Sequence, residues 1–347
     1  MLRAIAIVMV LLFHLDVPVS GPLGVVIFFD LSGYLITGIL LREHERTGHI
    51  SLSNFYLRRA FRIFPAFYVC WIVDVSFRLI KGAPRIDTWH AVGSFFYLED
   101  YVRALDPRAL QDVGPMWISW SLAIEEKFYL LWPLALLFIL RRGRDPRRAL
   151  IGFILIAWAW RAFLTMGLKV SGEYLYNAFD CRTAELAIGC LAACLIKIKR
   201  PQRLLVSGSV GFLIFSSFYN CYGWGTVGSS LVVMAAQPLA AAVVVLWLAG
   251  AKTTRFAHPA IATTARLSYS LYLYHPIVLS FITPFFIAYF PAGTKKISAV
   301  IVTVAFSMAS WRFVEKPLLA IRDRKFPGTT RATTCLNSPV AVGSRSY

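Results

Sequence analysis

The sequence predicts an all-α fold: a polytopic membrane helical bundle of about ten transmembrane helices, with both termini cytoplasmic. Long apolar runs recur from end to end, few charges fall inside them, and the basic residues collect in particular loops. Of the 347 residues, 58% are hydrophobic and only 16% charged, whereas a soluble domain carries roughly 25% charged. Several of the runs approach the roughly 20 apolar residues that cross a bilayer as a helix.

The first span is expected near 3–19, and a short GPLG turn leads directly into the second near 22–41, so no cleavable leader is expected. Further spans fall near 62–80, 119–140, 149–168, 182–197, 204–219, 231–250, 267–289 and 297–317. Basic loops near span ends mark the cytoplasmic side. The dense clusters RRAFR (58–62), RRGRDPRR (141–148) and KIKRPQR (197–203) set that side, while uncharged NCYGWGTVGSS (220–230) belongs opposite. The apolar patch 89–99 is expected to be a partial or re-entrant helix, because a full span there would put RRAFR outside. Residues 1–319 thus form one integral-membrane domain, and 320–347 a disordered cytoplasmic tail. The net charge of +18 reflects these loops; no aromatic-basic pattern supports nucleic-acid binding.

Ionisable groups inside spans are expensive and are functional candidates by default. Arg3 and His14 lie eleven residues apart, which returns the helix to within roughly 20° of the same face, about 16 Å along its axis. Glu125 and Glu126 enter the membrane from the outer side, to a depth similar to that of His14, but point about 100° apart. His275, Asp30, Ser32 and Glu185 add further polar points. Each has an ordinary structural explanation. A histidine can be hydrogen-bonded within the bundle, Glu125 can neutralise an arginine, and Arg58, Arg59 and Arg62 can be topology anchors. His275 precedes Pro276 and can satisfy the carbonyls that a proline frees. The six cysteines show no metal or redox spacing, and no metal site is expected.

Six motifs in order move the reading away from those explanations. They are Arg3 and His14 at their fixed separation, GVVIFFDLSGYLIT (24–37), RRAFRIFP (58–65), WSLAIEEKFY (120–129), SYSLYLYHP (268–276) and FVEKP (313–317). Together they resemble the acyltransferase family 3 proteins, bacterial integral-membrane enzymes that acylate sugars and other hydroxyl-bearing acceptors. Family members carry several residues before the motif that begins here at Leu2, so Met1 is expected to be a late start or a truncation. Position 26 is Val, and Asp30 stands one turn later, on the same helix face; no catalytic role is expected for it.

The resemblance implies a location in the bacterial inner membrane and an acyl-CoA co-substrate, taken to be acetyl-CoA, with no permanently bound cofactor. It also implies a carbohydrate or other hydroxyl-bearing acceptor at the outer side. His14 and Glu125 are then the expected catalytic residues: His14 as general base, with Glu125 fixing its tautomer if the two meet. Arg3, Arg58, Arg59 and Arg62 are expected to hold the donor, since forked guanidinium groups bind phosphates well. Ser32, Tyr34, Trp120, Glu126 and His275 are expected to line the site. Acceptor selectivity is expected in the external 100–118 segment and the 169–181 loop. A proton-coupled exporter is the alternative use of a buried His/Glu set, although no repeat of the two halves supports it. A non-catalytic glycan- or lipid-binding bundle is a third reading.

Overall fold

The computed structural model describes residues 1–80, 87–106, 114, 116–196, 201–221, 227–249, 258–282 and 295–326. The described residues are all helical or connecting. A helix stands at each of the ten expected places. They are α1 (Leu2–His14), α2 (Gly21–Thr47), α3 (Leu52–Ile80), α6 (Trp120–Arg141) and α7 (Pro146–Ala162), followed by α9 (Phe179–Leu195), α10 (Arg203–Cys221), α11 (Val227–Ala249), α12 (Pro259–Ile277) and α13 (Lys295–Ser310). Among the described residues, four stretches are long and apolar enough, by length and composition, to cross a membrane: Gly21–Thr47, Leu52–Ile80, Pro146–Gly167 and Lys296–Lys325.

The 89–99 patch folds as two short helices, α4 (Thr88–Phe95) and α5 (Glu99–Leu105), and neither is long enough to cross. A last short helix, α8 (Gly172–Asn177), precedes α9. Two details correct the sequence reading. RRAFR is not a loop before a span but lies inside α3, so Arg58 and Arg62 are one turn apart on a helix face. Residues 320–325, expected in the tail, complete α14 (Lys316–Lys325), whose Asp323 pairs with Arg58 at 3.5 Å. The remainder of the tail, from 327 on, lies outside the described residues, as do 283–290 of the expected 267–289 span.

Local chemistry sets the helix ends. Ser20 caps α2, its Oγ accepting from the Leu23 amide at 3.2 Å, and Gly48 ends that helix at φ +73°, a conformation that glycine adopts without strain. Asp145 caps α7 by accepting from the Arg147 amide at 2.9 Å. α2 and α9 cross backbone to backbone. A Cβ on Gly33 would stand 2.0 Å from the Leu186 carbonyl oxygen, and one on Gly189 2.1 Å from that of Asp30. Small residues permit such approaches where apolar surface burial gives no drive between helices in lipid. Gly33→Ala or Gly189→Ala is therefore expected to force the helices apart and cost about 1–3 kcal/mol or more. Thermal unfolding in detergent checks this; an unchanged midpoint would contradict the close crossing.

His90 ties α4 to α5. Its Nδ1 lies 2.6 Å from Glu99 Oε1 and its Nε2 2.8 Å from Asp106 Oδ2. Burial pulls the His90 pKa down, but hydrogen bonds and charge from Glu99 and Asp106 outweigh it and hold it above the usual 6.5. A raised histidine stabilises the fold fully below its unfolded value, and the contribution fades as pH climbs through the native one. The unfolding midpoint should therefore fall as pH rises from 6 to 9 more steeply in the native protein than in His90→Gln. Parallel profiles would contradict the clamp.

Candidate active site

Arg58, Asp323 and the Phe326 carbonyl meet at one end of the bundle; this basic end is the one the sequence assigns to the cytoplasm. Three cavities adjoin one another through shared lining residues, the first of them at this end. The first is lined by Glu43, Asn54, Arg58, Arg59, Arg62 and Arg322. Arg59 and Arg62 also line the second, together with Arg3, Ser32, Glu125 and Tyr129. Val25 and Tyr272 line both the second and the third, which holds His14 at the far end of α1. Arg3 thus lines the second cavity and His14 the third.

Five of the six sequence motifs contribute to the middle cavity, through Arg3, Ser32, Arg59 and Arg62, Glu125, and Tyr269 and Tyr272. The sixth joins through Glu315, which accepts a hydrogen bond from Ser270 of α12. Glu125 is held on both oxygens: Ser32 Oγ donates to Oε1 at 3.1 Å and Tyr129 OH to Oε2 at 2.6 Å. Arg59 lies over the Tyr129 ring, 4.5 Å from its centroid. Glu126 lines the same cavity with its Oε1 buried and unbonded.

Glu125 and His14 are not brought together. His14 is the last residue of α1 and lies level with the turn before α6, its ring centroid 5.9 Å from that of Trp117. Glu125 lies about one and a half turns, roughly 8 Å, further along α6 than that turn. The neighbour that the structure gives His14 is His275, whose ring centroid is 5.0 Å away. His275 Nδ1 lies 3.1 Å from the Leu271 carbonyl oxygen. A carbonyl only accepts, so Nδ1 carries the proton and Nε2 is a bare acceptor; that Nε2 is buried without a partner.

Trp120 lines the His14 cavity. Tyr34 lines none of the three and packs instead against the apolar core. Asp30 is fully buried with neither oxygen hydrogen-bonded. The sequence reading missed Arg182, one of the largest fully buried side chains among the described residues. Its Nε lies 2.7 Å from Glu185 Oε1, and its guanidinium stacks within 4.9 to 5.7 Å of Tyr176, Phe29 and Trp120. The signal was present as an i, i+3 pair of opposite charge within an apolar run. Arg103, Trp117, Glu173 and Asn177, which line the His14 cavity, come from the 100–118 and 169–181 segments, though the sequence singled out none of them individually. Among the described residues no group of His, Cys, Asp and Glu could hold a metal ion.

A bundle of apolar helices whose cavities are lined by arginines, glutamates and a half-buried histidine has the polar interior of a membrane enzyme. The comparisons with known proteins give the same class. An acyltransferase domain matches residues 1–312, and the chain belongs to that family. It is 29% identical over 342 residues to the peptidoglycan O-acetyltransferase OatA of Listeria monocytogenes, covering 91% of this chain and 54% of the relative. It is 28% identical over 348 residues to the O-acetyltransferase OatA of Staphylococcus aureus, covering 91% and 56%. The chain spans about half the length of these curated relatives. No solved structure matches it. With its apolar helices, the family membership makes this a multi-pass integral membrane protein.

Proposed function

We propose that the chain is a membrane O-acyltransferase. It takes an acetyl group from acetyl-CoA at the basic, cytoplasmic end and passes it to a hydroxyl of a sugar or polysaccharide at the opposite end. The observation that supports this reading is the set of three adjoining cavities, with Arg58, Arg59 and Arg62 lining the first and His14 the third. The reading includes ten spans, cytoplasmic termini and a bacterial inner-membrane location, as the basic loops suggest.

In this mechanism Arg58, Arg59 and Arg62 grip the pyrophosphate and 3′-phosphate of CoA, where forked donors are strongest. The pantetheine arm lies along the middle cavity past Arg3 and Glu125. His14 removes the proton as the acceptor oxygen attacks the thioester carbonyl. The C–S bond breaks, an ester forms, and the CoA thiolate takes the proton from the imidazolium. His275, rather than Glu125, lies beside that imidazolium, with the two ring centroids 5.0 Å apart. Glu125, fixed by Ser32 and Tyr129, offsets the arginine charge in the donor channel.

The test is CoA release from acetyl-CoA by the purified protein in nanodiscs, with and without neutral sugars. Sugar-stimulated release is expected. An exporter would leave the thioester intact, and intact acetyl-CoA under all conditions would overturn the reading.

A further inference from the structure

The FVEKP motif (313–317) reaches the site described above only through Glu315, which accepts from Ser270. Phe313 and Lys316, on either side of it, are exposed. Here, between α13 and α14, the backbone widens into a π turn over Trp311–Glu315, an uncommon geometry that concentrates at functional sites. Between this turn, α13 and α12 lies a groove of about 360 Å³. Thr263, Arg266, Met308, Trp311, Arg312 and Phe313 line it, and it shares no lining residue with the three cavities of the site.

The groove joins an apolar wall to a cationic mouth. Met308 is 54% and Phe313 75% exposed, and Ile297, Ile301 and Met308 form one exposed stripe along α13. At the mouth, the Arg266 guanidinium lies 5.5 Å and Lys316 Nζ 5.6 Å from the Trp311 ring centroid. The Arg312 guanidinium lies 6.0 Å from that of Phe313. These rings hold the cations without using their N–H donors. Among the described residues none of the three cations is paired with an acid: Glu315 turns inward to Ser270, and Asp323 serves Arg58 and Arg322. Lys316 stands roughly 30 Å beyond Lys296 along one helical stretch, about the thickness of the hydrocarbon core. The cations therefore lie at the membrane–water boundary, at the end marked by the Arg58–Asp323 pair. A soluble anion would use the mouth and leave the apolar wall idle. A zwitterionic lipid would bring its own ammonium to the same three cations. An anionic phospholipid matches both parts, and basic pockets between spans recognise such headgroups.

We propose that this groove holds one anionic phospholipid, its phosphodiester among Arg266, Arg312 and Lys316 and a chain along Phe313 and Met308. The site stands independently of the acyl-transfer reading. The test is native mass spectrometry of the delipidated protein in detergent, offered phosphatidylglycerol and phosphatidylcholine with identical chains in equal amounts. Phosphatidylglycerol is expected to be the preferred adduct. Arg266→Gln with Arg312→Gln should raise its Kd about 30-fold, the attraction of two cations close to a lipid surface. Arg266→Lys with Arg312→Lys keeps both charges and should retain most of the binding, which separates lost charge from a lost fold. Arg144→Gln with Arg148→Gln removes the same charge from exposed positions outside the groove and should leave binding nearly unchanged. Equal uptake of the two lipids, an equal loss in the Arg144 and Arg148 variant, or a loss that the lysine pair does not restore would overturn the site. Displacement of the lipid by excess inorganic phosphate would also overturn it, leaving an anion site only.

Discussion

Replacing His14 by alanine is expected to lower kcat for acetyl transfer by about 10²–10⁴-fold, the range of a positioned general base, with acetyl-CoA affinity nearly unchanged. The separation of the two effects follows from the geometry. His14 lines the third cavity, which shares no lining residue with the one that Arg58, Arg59 and Arg62 line. Equilibrium binding of acetyl-CoA and single-turnover rates, measured on the same preparation, check it. Full turnover in His14→Ala would remove the proposed base. His275→Ala should lower kcat less, because it removes a neighbour of the base and not the base. If His275→Ala alone abolished turnover, the two roles would have to be exchanged.

Neutralising Arg59 and Arg62 together, as Arg59→Gln with Arg62→Gln, is expected to raise the KM for acetyl-CoA by about 100-fold or more. Each charge-assisted hydrogen bond is worth about 1.5–3 kcal/mol, and every 1.4 kcal/mol is tenfold. The decisive comparison is with acetyl-pantetheine, which lacks the phosphates. The native protein should strongly prefer acetyl-CoA, and the double variant should treat the two donors almost alike. A preference for acetyl-CoA that survives the double substitution would place the phosphates elsewhere.

The helical architecture was legible because apolar runs and basic loops report burial and sidedness along the chain itself. The positions of all ten long helices followed from them. The start of α3 was not, since RRAFR reads as a loop by charge while its arginines turn inward along a helix that begins at Leu52. The middle of the site was also legible, because Arg3, Ser32, Arg59, Arg62 and Glu125 each sit in a dense motif and converge on one cavity. The partner of His14 was not. Depth from opposite membrane faces suggested Glu125, but depth says nothing of rotation about the helix axes or of the turn at Trp117, which carries the start of α6 level with His14. The far cavity was least legible. Arg103, Glu173 and Asn177 come from short helices that packing against the spans brings together, and no periodicity announces such contacts.

The most direct measurement of the central claim is transfer across a sealed bilayer. The protein is placed in proteoliposomes of determined orientation, with neutral sugars trapped inside and radiolabelled acetyl-CoA supplied outside. The passage from arginines to His14 predicts acetylated sugar in the lumen of vesicles whose basic end faces outward, with none formed in His14→Ala vesicles. Acetylation only when donor and sugar share one face would contradict it.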